Sequence, residues 1–285
     1  MSLTITPFSA PLGAEVTGID LRQPLDKDTI DRIYAAWLDH IVLVFRDQEL
    51  SKDQQVDFAA QFGTISDRAT PKELLNETDP DYDGKIMLVT NLRDEKGNPV
   101  GTLPDGEMWF HHDQSYMPTP CKATLLHAIE LPSEGGNTKF ANMYKAYETL
   151  PRVIKAQVLG KQALHAFTYN SAVTTDNKTR KNNWDDVAHF IHPMVRTHPV
   201  TGRRALYINR LMTQEIVGME RHESDELLAL LYDHMERTDF IYKHSWRKGD
   251  VLIWDNRCLT HARCDFPKAE TRIMKRLTIQ GERPA

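Results

Sequence analysis

The chain has 285 residues, a formal net charge of −5, and 40% hydrophobic against 26% charged residues, a balance that excludes wholesale disorder and a global basic field for nucleic acid or an anionic membrane. Three cysteines, Cys121, Cys258 and Cys264, with no CxxC pair, exclude a disulfide framework and a cysteine-rich zinc site, so a reducing cytoplasm is the expected compartment. No apolar run approaches the ~20 residues of a membrane span, and the opening Met1-Ser-Leu-Thr-Ile-Thr-Pro lacks the charged-then-apolar pattern of a signal peptide.

Ile30, Ile33, Tyr34, Trp37 and Leu38 recur at helical spacing and predict a first helix, with Asp26, Asp28 or Thr29 as its N-cap. Residues 41–45 follow as a short buried strand. Ser51-Lys-Asp-Gln54 has the capping-box pattern and opens a second helix, with Val56, Ala59 and Ala60 inward and Gly63 at its end. From 64 to 107 the texture changes: Pro, Gly, Asp and Asn are frequent, and only 85–90 reads as a strand. This segment and 170–186, rich in Thr, Asn and Lys, are expected to be active-site lid loops, the alternative being solvated surface loops. Further strands are expected at 123–129, 205–209, 240–246, 251–254 and 271–280, and helices at 144–150, 152–159 and 224–235. In the last helix Ser224 is the N-cap candidate, and Leu227, Leu228, Leu231 and Met235 form a core stripe. Without a repeat or composition break, the pattern predicts one α+β domain over 1–285, mainly β, around an antiparallel sandwich or barrel.

The sharpest local feature is Trp109-Phe-His-His-Asp113. On extended backbone, residues two apart share a side and lie about 6–7 Å apart at Cα. His111 and Asp113 would then converge on one point while His112 points away. Imidazole plus carboxylate suits a divalent metal such as Fe(II), though an isolated HxD triplet also fits a polar loop. Downstream, Trp254-Asp-Asn-Arg-Cys-Leu-Thr-His261 runs from a buried strand through a turn to a histidine. His261 either completes a set of two histidines and one carboxylate, which leaves coordination positions open for chemistry, or hydrogen-bonds the turn. In Thr271-Arg-Ile-Met-Lys-Arg-Leu-Thr-Ile279 the alternation puts Arg272 and Arg276 on one face, about 13 Å apart by strand rise. That face either offers two guanidinium forks to two anions in a pocket or is an exposed cationic surface.

Taken together, these motifs resemble the Fe(II)/2-oxoglutarate-dependent dioxygenases of the taurine dioxygenase and 2,4-dichlorophenoxyacetate dioxygenase family. The resemblance spans nearly the whole chain through Gly13-Ala-Glu-Val-Thr-Gly-Ile-Asp-Leu21, Val44-Phe-Arg-Asp-Gln48, Phe62-Gly63, His111 to Asp113, Gly135-Gly-Asn-Thr138, Val195-Arg-Thr-His-Pro199, Trp254-Asp-Asn-Arg257, His261 and Arg272-Ile-Met-Lys-Arg276. It implies a double-stranded β-helix (jelly-roll) core with flanking helices. It also implies His111, Asp113 and His261 as catalytic iron ligands, and Arg272 with Thr138 as the holders of the 2-oxoglutarate distal carboxylate. Arg276 matches the arginine that pairs with a substrate anion, and Phe167 and Tyr169, with His165, fall where the family places substrate contacts. The implied reaction consumes O2, releases succinate and CO2, and hydroxylates, and in some cases cleaves, a small organic anion such as an aryloxy-carboxylate or sulfonate. Two departures stand out: Phe110 replaces the family Trp before His111, and Arg68 and Pro71 stand where the taurine enzyme has His and Tyr, which argues against taurine itself. The other histidines, and Cys258 and Cys264 beside His261, read as ordinary structural or surface residues. A cupin-type metal-dependent hydrolase or isomerase and a non-catalytic organic-acid-binding barrel are the competing readings. No nucleic-acid or membrane partner is expected, and a homo-oligomer is.

Overall fold

The computed structural model describes residues 3–66, 84–102, 106–167 and 184–285. Along the chain run β1 (Thr4–Pro7), β2 (Ala14–Thr17), α1 (Lys27–His40), β3 (Val42–Phe45), α2 (Lys52–Ala60), β4 (Met87–Thr90), β5 (Met108–His111), β6 (Ala123–Glu130) and β7 (Thr138–Asn142). Then come α3 (Met143–Glu148), α4 (Arg152–Val158), β8 (Gln162–Ala166), β9 (His189–Pro193), β10 (Val195–Thr197), β11 (Arg204–Leu206) and β12 (Thr213–Ile216). The chain closes with α5 (Arg221–Met235), β13 (Ile241–His244), β14 (Val251–Asp255), β15 (Leu259–Arg263) and β16 (Ile273–Ile279). The molecule is mainly β with a few helices, and no helix among the described residues is long and apolar enough to cross a membrane.

Two sheets frame the site. The larger has seven strands in the order β1-β2-β3-β14-β6-β16-β4; the smaller has four, β13-β7-β15-β5. Side-chain alternation divides the large sheet cleanly. Leu43, Phe45, Leu125, Val251, Ile253, Leu277 and Ile279 face a core shared with Ile33 and Trp37 of α1 and Phe58 and Ala59 of α2. Their neighbours Val42, Val44, Leu126, Leu252, Trp254 and Met274 face a second core shared with Phe140, Ala141, Leu259 and Ala262 of the small sheet. A strand pattern with period two thus sends alternate residues into two different cores, and the polar site lies on the side shared by the two sheets.

Local signals account for the first helices. Asp26 caps α1 by accepting from Thr29 N, and Ser51 and Gln54 form both bonds of the capping box on α2. The inward face of α2 is Gln55, Phe58 and Ala59, whereas Ala60 is exposed, which corrects the expected face. Ser224 does not cap α5. The helix begins at Arg221, and the Ser224 hydroxyl, buried inside it, accepts from Ile216 N at 2.8 Å and so ties α5 to β12. The expected strand at 205–209 is limited to β11, because Asn209 turns the chain: its side chain accepts from Met212 N and its own N–H donates to Thr213 Oγ1. Within 64–107, the described part carries β4 on the edge of the large sheet and a turn at 94–98 held by Asp94, whose carboxylate accepts from Lys96 N and Asn98 N. Residues 67–83, 103–105 and 168–183, which include Arg68, Pro71 and Tyr169, lie outside the described residues.

Candidate active site

His111 ends β5 and His261 lies mid-way along β15. The antiparallel register pairs them directly, with ring centroids 4.1 Å apart. Asp113 sits just past the end of β5, where Gln114 turns the chain with φ 58°. The Nε2 atoms of His111 and His261 lie 3.7 and 3.8 Å from the same Asp113 oxygen, Oδ1, and the three donor atoms lie within 4.8 Å of one another. All three residues are buried.

Hydrogen bonds orient two of the three ligand candidates, and ring packing the third, His261, whose Nδ1 is buried without a partner. His111 Nδ1 donates to the Trp109 carbonyl at 2.8 Å, which leaves the Nε2 lone pair facing the cluster. Asp113 Oδ2 accepts from the Thr124 hydroxyl at 2.5 Å; that hydroxyl accepts from Asn256 Nδ2 at 2.9 Å, and Asn256 Oδ1 accepts from the Trp254 indole at 3.0 Å. The indole ring also packs against His261 at 4.8 Å. Burial keeps both imidazoles neutral, lowering His111 and pushing His261 down to about 3. Burial opposes ionisation of Asp113, but the Arg276 guanidinium, the two imidazoles and the Thr124 hydroxyl together outweigh it and hold the carboxyl well below its usual range. Two neutral imidazoles and an ionised carboxylate on a shared point form a donor set that suits Fe(II).

Arg276 lies on the inner face of the large sheet, and its Nη2 donates to Asp113 Oδ1 at 2.7 Å. Arg272 precedes β16 rather than lying on it, its backbone N–H held by Asn91 Oδ1. The Arg272 guanidinium rests against Gly136, whose carbonyl accepts from Nη2 at 3.4 Å, while Nε is buried with no partner. A Cβ on Gly136 would sit 3.1 Å from that Nε, and the φ of 61° is itself a glycine conformation. Burial, then neighbouring Arg263, depresses the Arg272 pKa, as expected of a cation that lacks its anion. Thr138, two residues after Gly136, is buried on β7. These features fit a carboxylate: an orphaned buried donor in a cradle that only glycine leaves open.

His112 turns away from the cluster. It is fully buried against Tyr207, ring centroids 4.4 Å apart, with Asn209 Nδ2 at 3.5 Å from Nδ1. Phe167 is half exposed and packs on Tyr116 at 4.8 Å. The Tyr116 pKa is pushed up to about 12 by burial against the pull of Arg276. His165, by contrast, is wholly buried on β8 and bonded to Thr213 Oγ1, so it offers no open surface to a substrate. Sequence reasoning missed Thr124, Asn256 and Tyr116; only Tyr116, three residues after Asp113, was within reach of a local signal.

A second cluster of metal-binding residue types, His198, Asp255 and Cys258, is also fully buried. His198 Nδ1 accepts from the backbone N–H of Val200 and Thr201, so Nε2 carries the proton and donates to Asp255 at 3.1 Å. Arg257 takes both Asp255 oxygens, at 2.8 and 2.7 Å, and burial pushes the Cys258 thiol pKa far up. No nitrogen or carboxylate lone pair is left for a metal, and the thiol is held protonated. The cluster instead pins the turn between β14 and β15 that carries His261.

A family model described as the taurine catabolism dioxygenase TauD, TfdA family matches residues 4–278. The chain belongs to this family. Its members are Fe(II)- and 2-oxoglutarate-dependent dioxygenases, and this chain is accordingly an oxidoreductase of that class. It is 35% identical to an (S)-phenoxypropionate/alpha-ketoglutarate-dioxygenase of Sphingobium herbicidovorans, over 98% of this chain and 95% of that one. It is 32% identical to the pentalenolactone F synthase of Streptomyces avermitilis, over 100% and 96% of the two chains. The crystal structure of AAD-2 with Mn(II) and N-oxalylglycine superposes with a TM-score of 0.80 at 29% identity, covering 100% of this chain and 99% of that one.

Proposed function

We propose that His111, Asp113 and His261 hold the Fe(II) of this dioxygenase, that Arg272 and Thr138 receive the distal carboxylate of 2-oxoglutarate, and that Arg276 receives the anionic group of the substrate. The observation that carries the reading is the buried guanidinium of Arg272, cradled by Gly136 with its Nε unpartnered. An uncompensated buried charge costs several kcal/mol, so a site built this way is completed by a carboxylate. A hydrolase or isomerase on the same three ligands has no use for that second guanidinium, and a passive binder has none for the oriented His/Asp/His set.

When bound, Fe(II) supplies the activation of O2 that couples decarboxylation of 2-oxoglutarate to succinate with hydroxylation of the substrate. The residues of the chain position and shield. Trp109 and Thr124 fix the donor atoms of His111 and Asp113. Arg272 and the Thr138 hydroxyl orient the cosubstrate by its far end. Arg276 shares the Asp113 oxygen that faces both imidazoles, so it is placed to turn to a substrate anion when that oxygen is engaged otherwise. Phe167 and Tyr116 offer an apolar wall beside Arg276, and Arg68 and Tyr169 are further substrate contacts in this reading.

The substrate is a small organic anion such as an aryloxy-carboxylate or sulfonate; hydroxylation at a carbon bearing an ether or sulfonate then leads to bond cleavage. The phenoxypropionate enzyme among the relatives supports this choice. The two facing sheets support a jelly-roll core within one domain. The test is release of succinate from 2-oxoglutarate with Fe(II), O2 and a panel of aryloxyalkanoates and sulfonates. Stimulation by at least one anion, lost in Arg276→Ala with 2-oxoglutarate affinity nearly intact, supports the assignment; equal loss of both affinities contradicts the division of labour between the two arginines.

A further inference from the structure

Trp246 lies in the turn after β13, and its indole N–H donates to the Thr138 hydroxyl at 3.0 Å. An indole is a donor only, and a threonine hydroxyl has one proton and two lone pairs. With the indole on one lone pair, the direction of the Thr138 O–H is restricted, and no acceptor for that proton occurs among the described residues. Two residues before it, the Gly136 carbonyl accepts from Arg272 Nη2, and Arg272 Nε is orphaned. Two buried donors, the Thr138 hydroxyl and Arg272 Nε, thus lie against the 136–138 stretch with no acceptor for either among the described residues.

The indole is itself held. His244 meets it edge-on, ring centroids 4.7 Å apart at 85°. His244 donates through Nε2 to Asp250 at 3.0 Å and accepts at Nδ1 from Tyr242 at 2.8 Å, so its tautomer and plane are set. Asp250 is in turn gripped by Arg46 at 2.6 Å and by the Arg247 N–H at 2.8 Å. A hydroxyl that could rotate freely would spend part of its time pointing away from a bound carboxylate; a locked donor avoids that loss.

We infer that Trp246 is a positioning residue for the cosubstrate: its indole N–H locks the Thr138 hydroxyl as a donor to the carboxylate that Arg272 receives, and so favours a 2-oxo diacid over 2-oxo monoacids. The inference rests on the reading that Arg272 and Thr138 hold the distal carboxylate. Trp246 touches neither the metal cluster nor, in this account, the cosubstrate itself.

The experiment is calorimetric titration of Mn(II)-loaded protein, without O2, with 2-oxoglutarate and with 2-oxovalerate, which lacks the distal carboxylate. Trp246→Phe should weaken 2-oxoglutarate binding about 3–10-fold and leave 2-oxovalerate binding unchanged. In a Thr138→Val background the same substitution should have almost no effect, and in Thr138→Ser, which keeps the hydroxyl, its full effect. In turnover, Trp246→Phe should raise KM for 2-oxoglutarate with kcat nearly constant. Unchanged 2-oxoglutarate affinity, equal weakening of both acids, or an effect that persists without the Thr138 hydroxyl would each overturn the inference. If Arg272→Gln and Thr138→Val both bind 2-oxoglutarate as the wild type does, it is the underlying carboxylate assignment that fails.

Discussion

Two buried clusters in this molecule carry the residue types of a metal site, and they differ in where their lone pairs go. In His198, Asp255 and Cys258 every nitrogen and carboxylate oxygen is engaged by a backbone N–H, by Arg257 or by each other. In the other cluster, His111, Asp113 and His261, the Trp109 carbonyl and the Thr124 hydroxyl bind the far atoms, Nδ1 of His111 and Oδ2 of Asp113, and the two Nε2 atoms and Oδ1 face one point, with Oδ1 shared with Arg276 alone. Residue type and burial do not separate the two; the hydrogen-bond inventory does. A completed inventory makes a structural pin, and an inventory left open on one side makes a site.

The largest effects should break this contrast if it is wrong. Asp113→Ala should reduce Mn(II) affinity by more than the roughly 10–100-fold typical of changes around a metal ligand and abolish succinate release, with the fold retained by circular dichroism. Asp255→Asn should do the reverse: unchanged Mn(II) affinity per folded molecule, but a loss of about 3–5 kcal/mol of stability in urea unfolding, because it strands the buried Arg257 charge. Next in size, Thr124→Val should lower Mn(II) affinity about 10-fold by releasing the second oxygen of Asp113. Arg276→Gln should move the other way and raise Mn(II) affinity a few-fold, since the guanidinium holds the Asp113 oxygen that faces both imidazoles; a lower affinity would mean the arginine supports the site rather than competing for it. The smallest effect concerns pH. His111 and Asp113 lie below their ordinary values and His261 at about 3, so the site takes up protons at lower pH than ordinary imidazoles would. Mn(II) affinity should therefore fall less between about pH 7.5 and 6 than it would with ordinary imidazoles, which take up protons on the acid side of about 6.5 and so weaken metal binding.

What could be read from the sequence follows the range of the interactions involved. Asp26 and Ser51 announce their helices because a cap acts within three residues. His111 and Asp113 are two residues apart, and the strand period alone suggests a shared target. The direct pairing of His111 with His261 is a β5–β15 register across 150 residues; the residues alone left His261 open between completing the set and bonding its turn, and the family resemblance favoured the first. Thr124, Asn256 and Trp246 act through bonds to residues 11, 132 and 108 positions away, and nothing local marks them. Ser224 was misleading for the same reason: the residue type suits a cap, but a long-range backbone donor, Ile216 N, claims its hydroxyl. Short strands such as β9 and β12 escaped notice because three to five residues carry too little alternation to stand out.

The most direct test of the contrast is anomalous diffraction at the iron edge from crystals soaked anaerobically with Fe(II). The account predicts one peak, bounded by His111 Nε2, Asp113 Oδ1 and His261 Nε2, and none at His198, Asp255 and Cys258. A peak in the second cluster, or none in the first from crystals that bind Fe(II), would contradict it.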